Sequence, residues 1–534
     1  MQQAFGKSDS TTKLGIGAAG VAYRLALGNA ISILAAGVSF LVVARLLGPS
    51  NYGIYVLAMG IVGFASSISG LGVGRYLDKN IPALYARGRN REIGPMIGST
   101  LLTILLLGAA ATVVALLLSG YITSYVFHSS ADLMLVQVAL LAIVISILYG
   151  GAYGAIVGFG DGNAAALVSA SNAIVQAAAS IGLVLLGFGP LGAVSGFEFG
   201  LVAGIGVEIA MIMRHTRISL YARGMGMKLR EIFEFSLPLG GSYILTGSMN
   251  NFAVILLGLL FLPSVAGVYG VAANVGQLLG VVIGAIGLVL VPTFSSALAN
   301  RKLRKHAGTV YNYAVYFGLM LITPLVAYVA TLSNDLVSSV FLTSYSGAAQ
   351  LMTLISVGIL IQLIVTYGTS VAISLNATRK VLKYTGIVSA FELAALAALV
   401  PVYGALGAVV ALFYVGGIIG AILYSNYIRK ALNAGGDGKV ATLILPNLLF
   451  AIVLAVVALS GIYETWQLAI GIALLLFLYP PLLAVTRTLT YKESRFLRAA
   501  SRNVPIISGA VTVLTGYVEC FMHLPKNLRS TIQK

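Results

Sequence analysis

The chain has few charged residues, and this scarcity excludes a soluble globular fold. Only 9% of its 534 residues are Asp, Glu, Lys or Arg, whereas 59% are hydrophobic. A soluble surface cannot be built from so small a supply of polar groups. The composition therefore predicts an integral membrane protein.

Cysteine and histidine are equally scarce. The single cysteine, Cys520, excludes an internal disulfide framework and a cysteine-rich metal site. The four histidines, His128, His215, His306 and His523, are scattered over different loops without metal-ligand spacing. The sequence also lacks a phosphate-binding glycine loop and a paired histidine and carboxylate. We predict that the chain is not an enzyme and uses no metal and no cofactor.

Long apolar runs dominate the chain. A helix needs about 20 apolar residues to span a bilayer. The runs predict an all-α membrane protein with about fourteen transmembrane helices. The predicted spans are 25–47, 54–77, 96–120, 132–157, 163–187, 191–213, 233–260, 267–291, 309–330, 347–374, 384–401, 405–428, 441–460 and 466–486.

Lys and Arg are missing from every second turn between these spans. The turns without a basic residue are 48–53, 121–131, 188–191, 262–266, 331–346, 403–405 and 461–465. The positive-inside rule places the basic loops and both termini in the cytosol. The net charge of +17 is spread over these loops. It therefore favours anionic lipid headgroups over nucleic acid as the partner.

One turn of the chain occurs twice, at an offset of 214 positions. The first copy comprises Pro49, Ser50, Gly53 and Tyr55, and the second Pro263, Ser264, Gly267 and Tyr269. Because six predicted spans separate the copies, the repeat predicts two six-helix lobes related by a pseudo-two-fold axis along the membrane normal. The predicted lobes are residues 1–215 and 216–430.

The remaining chain is predicted to be an appendage. Residues 431–490 hold helices thirteen and fourteen, and residues 491–534 form a basic cytosolic tail. Within the tail, residues 506–524 place Ser508, Thr512, Thr515 and Glu519 on one helical face. We predict an amphipathic helix in the membrane interface, because Glu519 in hydrocarbon would cost on the order of 2–3 kcal/mol. A fifteenth span is the alternative.

The stretch from Ala44 to Tyr55, with the later Phe235-Ser236-Leu237-Pro238, resembles the polysaccharide transporters and oligosaccharide-lipid flippases of the multidrug/oligosaccharidyl-lipid/polysaccharide superfamily. The resemblance implies two lobes that rock about a central cavity bounded by spans one, two, seven and eight. It also implies arginines that meet a lipid pyrophosphate. The expected function is export or flipping of a lipid-linked oligosaccharide or polysaccharide precursor across the cytoplasmic membrane by alternating access.

Three arginines lie at or inside the span ends of the first predicted lobe. Arg75 is the candidate for phosphate contact, with an ion pair to Asp78 as the alternative. Arg45 is expected mainly to tie the outer turn, with substrate contact as the alternative. Arg24 lies at the cytosolic entrance, where substrate contact and headgroup anchoring are both open.

Polar residues recur at helical spacing in several spans, where lipid exposure would be costly. The stripes are Asn29, Ser32 and Ser39; Ser169, Asn172, Gln176 and Ser180; Ser236, Tyr243 and Asn250; Asn274 and Gln277; and Gln362, Thr366, Thr369 and Asn376. They line a vestibule for sugars or join helices to one another. Asn250, Asn274 and Gln277 are the substrate-binding candidates. The small residues Gly60, Gly63, Ser67, Gly70 and Gly74 predict a close-packing or hinge face.

Glutamates inside the predicted spans have different expected roles. Glu198 and Glu392 are candidates to bind a coupling ion, H⁺ or Na⁺, or are hydrogen-bonded to neighbouring helices. Thr385 and Ser389 share a helical face with Glu392. Glu208 is expected to reach toward Arg214.

The predicted partners are membrane lipids, a lipid-linked sugar and the coupling ion, without nucleic acid or an obligate oligomer. A cation-coupled exporter of small molecules and a non-transporting membrane scaffold of envelope assembly are the alternative functions. A flippase predicts an anion-binding cavity, and a cation-coupled exporter predicts an acidic cavity. A membrane scaffold predicts no cavity.

Overall fold

A computed structural model describes the backbone of residues 2–70, 73–129, 132–216, 225–299, 307–341, 343–432, 439–491, 493–494, 498 and 505–522. The side chains of residues 2–30, 75, 225–240 and 242–243, and of some residues within 285–299 and 505–522, lie outside this description. Throughout the described residues the chain is helical and contains no β-strand.

The helices follow one another with short connections. Those of the first half are α1 (Gln2–Gly70), α2 (Gly74–Ala86), α3 (Ile93–Leu117), α4 (Ser119–Ile122), α5 (Leu133–Gly158), α6 (Gly162–Leu183), α7 (Gly189–His215), α8 (Met225–Leu260) and α9 (Pro263–Ala299). Those of the second half are α10 (Ala307–Thr331), α11 (Ser333–Val340), α12 (Gly347–Ser374), α13 (Thr378–Tyr403), α14 (Ala405–Val409), α15 (Gly417–Leu432), α16 (Lys439–Thr442), α17 (Ile444–Ala458), α18 (Glu464–Phe477), α19 (Tyr479–Val485) and α20 (Pro505–Met522).

Within the described residues, eleven helical stretches are long and apolar enough to cross a membrane. Two of them, Ile31–Gly70 and Gly162–His215, are 40 and 54 residues long and contain a turn, so each supplies two spans. The shorter apolar helix Ile244–Leu260 supplies one more. The predicted all-α membrane fold with about fourteen spans is thus confirmed.

Glycine makes the turns inside the two long stretches. Gly48 has a φ of 70° and precedes Pro49, which separates span one from span two within α1. Gly187 and Gly189 have φ values of 92° and 55° and separate α6 from α7. Only glycine adopts such angles without strain, so a helical run ends at each of these positions.

The chain divides into two compact units. The first contains residues 1–271 and 379–412, and the second contains residues 272–378 and 413–534. In the first unit, small residues bring helices close together: a Cβ on Gly108 of α3 would lie 3.1 Å from the Cα of Val144 in α5. The predicted lobe boundaries at 215/216 and 430/431 stay a prediction.

The second unit has an aromatic core that joins α10 to the terminal helices. Tyr316, Phe450 and Tyr479 are buried there, and the rings of Phe450 and Tyr479 meet edge to face at 5.3 Å. The Tyr479 hydroxyl lies 3.1 Å from the carbonyl oxygen of Met320 and 3.0 Å from the amide oxygen of Asn447. Burial of this polar tip is therefore compensated by hydrogen bonding.

The predicted tail helix is present as α20, and part of its polar face turns toward the protein. Glu519 accepts hydrogen bonds from Arg498 Nη2 and Ser494 Oγ, both at 2.6 Å. Thr515 is fully buried and accepts a hydrogen bond from Arg498 Nε at 2.7 Å, whereas Thr512 is exposed. The side chain of Ser508 lies outside the description. The predicted place of this helix in the membrane interface stays a prediction.

Candidate functional site

The first unit contains a cavity of about 480 Å³. The second span of α1, the start of α2 and the middle of α5 form most of its wall, with one residue from α3 and one from α8. The lining residues are Ser66, Ser67, Gly70, Val73, Gly74, Asp78, Ile104, Ser146, Ile147, Gly150, Gly151, Tyr153, Gly154, Val157 and Ile244.

Three serines, Tyr153 and the carboxylate of Asp78 make this cavity polar. Ser66 Oγ and Ser146 Oγ are buried and have no hydrogen-bond partner within the described part of the chain. Ser67 Oγ, by contrast, donates to the carbonyl oxygen of Gly63 at 2.7 Å. A buried hydroxyl without a partner costs about 1–3 kcal/mol. Both hydroxyls lie within the wall of the cavity rather than at its surface, so a hydrogen bond to a ligand would require a shift of that wall.

The small-residue face of span two has two different environments. A Cβ on Gly60 would lie 2.7 Å from Val254 Cγ1, and one on Gly63 would lie 2.6 Å from Asn251 Nδ2. A Cβ on Gly70 meets only Ile147 Cγ2, at 3.7 Å. The predicted close packing therefore holds for Gly60 and Gly63, and also for Gly74, where a Cβ would lie 2.8 Å from the carbonyl oxygen of Gly150. Gly70, by contrast, opens onto the cavity.

The two copies of the repeated turn contact each other reciprocally. A Cβ on Gly53 would overlap the carbonyl oxygen of Pro263, and a Cβ on Gly267 would overlap the carbonyl oxygen of Pro49. Equivalent residues of the repeat thus approach through their backbones, which only glycine permits. This contact closes one end of the packing between span two and the α8–α9 pair.

Of the three predicted arginines, only Arg45 has a described side chain. The side chains of Arg24 and Arg75 lie outside the description, although Arg75 follows the first residue of α2. Its expected neighbour Asp78 lines the cavity. Arg45 is exposed on α1. The roles of these arginines stay proposals.

The amide candidates lie in different surroundings. Asn250 accepts a hydrogen bond from the hydroxyl of Tyr269 at 2.8 Å, and Tyr269 is fully buried. Asn274 is half-buried and Gln277 is exposed, both on the part of α9 that belongs to the second unit. The cavity of the first unit is lined by none of these three residues.

Glu392 and Glu198 occupy different positions. Glu392 is buried with Thr385 and Ser389 on one face of α13, as their spacing predicts. Glu198 is half-buried on α7 and contacts the backbone of Ala142. Their roles as ion-binding groups stay proposals.

The polar stripe of span five packs against α7. A Cβ on Gly200 would lie 2.6 Å from Gln176 Cβ, and one on Gly196 would overlap Ser180. Ser180 Oγ also donates to the carbonyl oxygen of Ala193 at 3.2 Å. Of the two interpretations of this stripe, the structure favours contact between helices over a vestibule.

The prediction for Glu208 is wrong. Glu208 is fully buried, whereas Arg214 is exposed and contacts Met211 Sδ at 3.7 Å. Six residues turn an α-helix through about 600°, which puts the two side chains on different faces. Their closeness in sequence therefore does not bring them together.

Sequence reasoning missed three of the polar residues that line the cavity, Ser66, Ser146 and Tyr153. One signal was present, because Ser146, Gly150 and Gly154 recur every fourth residue in α5 and line one face of a helix. Amides and hydroxyls at helical spacing mark the predicted stripes, whereas this face of α5 consists mostly of glycine.

A family model described as polysaccharide biosynthesis protein matches residues 19–298. That range is more than half of the chain. The chain belongs to this family. The matched range contains the cavity and the contact between the two repeated turns. A search of curated proteins finds no match.

Solved structures show that the fold is shared with membrane transporters. The lipid II flippase MurJ in an inward closed conformation has a TM-score of 0.67 at 16% identity, over 85% of this chain and 97% of that chain. An inward-facing multidrug resistance MATE family transporter of the MOP superfamily has a TM-score of 0.64 at 16% identity, over 77% and 98%. A variant of the Vibrio cholerae MATE transporter VcmN has a TM-score of 0.58 at 16% identity, over 80% and 99%.

Proposed function

We propose that the chain flips a lipid-linked oligosaccharide or polysaccharide precursor across the cytoplasmic membrane by alternating access. The observation that carries the proposal is the hydroxyl-lined cavity within the range that matches the polysaccharide biosynthesis family. Sugars need polar partners, and the cavity is lined by three serines, Tyr153 and Asp78. A structure with the same fold is named a lipid II flippase, which supports a lipid-linked cargo.

The test is movement of a fluorescent polyprenyl diphosphate carrying N-acetylglucosamine in vesicles that contain the purified protein. Dithionite, which does not cross the bilayer, quenches only the outer leaflet. The expected result is quenching beyond half of the fluorescence, compared with about half in protein-free vesicles. Quenching that stops at half in both would contradict the proposal.

A cation-coupled exporter of small molecules is the second candidate, because MATE transporters share the fold. Ethidium loaded into the same vesicles separates the candidates. Export of ethidium without movement of the lipid probe would favour this second function. Movement of neither compound would leave the membrane scaffold as the function.

Arg75 is proposed to contact the diphosphate, since it lies one turn before Asp78, which lines the cavity. Arg75→Ala is expected to slow flipping of the lipid probe by about ten- to a hundredfold, as for the loss of a hydrogen bond to a charged group. Arg75→Lys should recover only part of the rate if the contact is bidentate. Arg87→Ala is the matched control, because Arg87 is exposed directly after α2. An unchanged rate in Arg75→Ala would remove this residue from the site.

Both termini and the basic loops are proposed to lie in the cytosol. Single cysteines at Ser344 and Thr465, in a Cys520→Ser background, are expected to react with an impermeant thiol reagent in intact cells. A cysteine at Asn90 should react only after the membrane is permeabilised. All three positions are exposed, so differences in labelling report the side of the membrane. Labelling of position 90 in intact cells would reverse the orientation.

A further inference from the structure

Helix α7 presents glycine every fourth residue to its neighbours, and Glu208 continues this spacing. Its face carries Gly196, Gly200 and Gly204 before Glu208. A Cβ on Gly200 would lie 2.8 Å from Asn172 Oδ1, and one on Gly204 would lie 2.6 Å from Tyr149 Cε2. The glycines let α6 and α5 approach α7 closely, one turn before the carboxyl group.

Both carboxylate oxygens of Glu208, which is 0% exposed, are buried acceptors that lack a donor in the described chain. Asn172 Oδ1 is also buried without a partner there. Tyr149 connects the two residues, because its hydroxyl lies close to the side chain of Asn172 and within electrostatic reach of Glu208.

The described residues provide no positive charge to balance Glu208. From α5, the titratable group within electrostatic reach of Glu208 is Tyr149. The ring of Tyr153 stacks on that of Tyr149. Helix α6 contributes amides and hydroxyls. On α7 itself, Arg214 contacts Met211 and His215 lies 3.3 Å from Asp161. Of the described side chains of α1, the only charged one is Arg45, which is exposed.

An ionised carboxylate in such a site would be costly. Even after relaxation, burial of an unpaired ion costs several kcal/mol. A proton removes that charge and turns one carboxyl oxygen into a donor for an acceptor such as Tyr149 Oη. A proton therefore corrects both the charge and the shortage of donors.

We propose that Glu208 is a proton-binding site and that its proton is exchanged during transport. Tyr149 stacks on Tyr153 with ring centroids 6.2 Å apart, and Tyr153 lines the cavity. Cargo in the cavity would therefore contact the ring that packs beside the proton site. The O–H bond forms as Glu208 takes a proton from water on one side of the membrane, and it breaks as the proton returns to water on the other. The coupling part rests on the proposed function, whereas the proton site does not.

Infrared spectroscopy of the purified full-length protein tests the proton site without any cargo. At neutral pH the parent should show the carbonyl band of a protonated carboxylic acid, and part of it should disappear in Glu208→Gln. Glu92→Gln is the matched control, because Glu92 is exposed and pairs with Arg89. If Glu208→Gln does not fold, Glu208→Asp should shift the same band. A band that is identical in the parent and in the folded variant overturns the proposal.

Vesicles with an imposed pH gradient test the coupling. The parent should accumulate the lipid probe in one leaflet, whereas Glu208→Gln should only equilibrate it and lose the response to the gradient. A sodium gradient alone should leave the parent unchanged. A response to sodium that Glu208→Gln abolishes would overturn the proton in favour of a metal cation. A parent that never moves the probe would contradict the proposed function, while the infrared result on the proton site would stand.

Discussion

Replacing Gly53 with alanine is expected to slow transport strongly, because the methyl group would overlap the carbonyl oxygen of Pro263. Gly267→Ala should act in the same way at the equivalent position of the repeat, against Pro49. Overpacking of this kind costs about 1–3 kcal/mol. The closed contact between the two turns should therefore become about ten- to a hundredfold less populated. Flipping of the fluorescent lipid probe measures the effect.

A cysteine at Val56 reports whether this contact opens. Val56 packs against Gly270, on which a Cβ would lie 2.6 Å from Val56 Cγ2. In a Cys520→Ser background and in detergent, the cysteine should react faster with a thiol reagent when Gly53→Ala is also present. Gly37→Ala is the matched control, since a Cβ there meets nothing within 4 Å. Normal flipping and unchanged labelling in Gly53→Ala would show that the contact is dispensable.

Two glycines on the cavity wall should separate loss of transport from loss of stability. Gly70→Trp is expected to fold, because a Cβ there meets only Ile147 at 3.7 Å. Its ring would fill part of the cavity of about 480 Å³, so flipping should be lost while the melting temperature stays near that of the parent. Normal flipping by Gly70→Trp would show that cargo does not pass through this cavity.

Gly154→Ala should have the opposite result. Its methyl group would overlap the carbonyl oxygen of Gly74, where α5 packs on α2. The free energy of unfolding should fall by about 1–3 kcal/mol, which thermal denaturation in detergent measures. Gly206→Ala is the control, because a Cβ on Gly206 meets nothing within 4 Å. A Gly154→Ala protein as stable as this control would contradict the packing of α5 on α2.

The sequence predicted the class of fold and the number of spans well. Both depend on the composition of each segment by itself, because a bilayer requires every span to be apolar and internally hydrogen-bonded. The turn at Gly48 was also recognisable, since glycine followed by proline ends a helix. The tail helix was predicted, but the inward turn of Thr515 and Glu519 was not. The inward orientation of these two side chains depends on hydrogen bonds from Arg498 and Ser494, and the helical spacing of polar residues does not reveal such partners.

The candidate site was predictable only in part. The repeat identified Gly53 and Gly267 as equivalent residues, but not that they touch. The polar stripe of span five is compatible with a vestibule for sugars and with contact between helices. Only the structure favours helix contact, because glycines of α7 lie opposite Gln176 and Ser180.

The sequence by itself determined that the chain crosses the membrane about fourteen times and repeats its outer turn. These are local properties, since the bilayer acts on each span separately. Only the tertiary structure decided that Gly70 faces a cavity while Gly60 faces Val254, and that Glu208 lies near Tyr149 rather than Arg214. Such choices depend on which helix packs against each face, and residues far apart in the chain supply that partner.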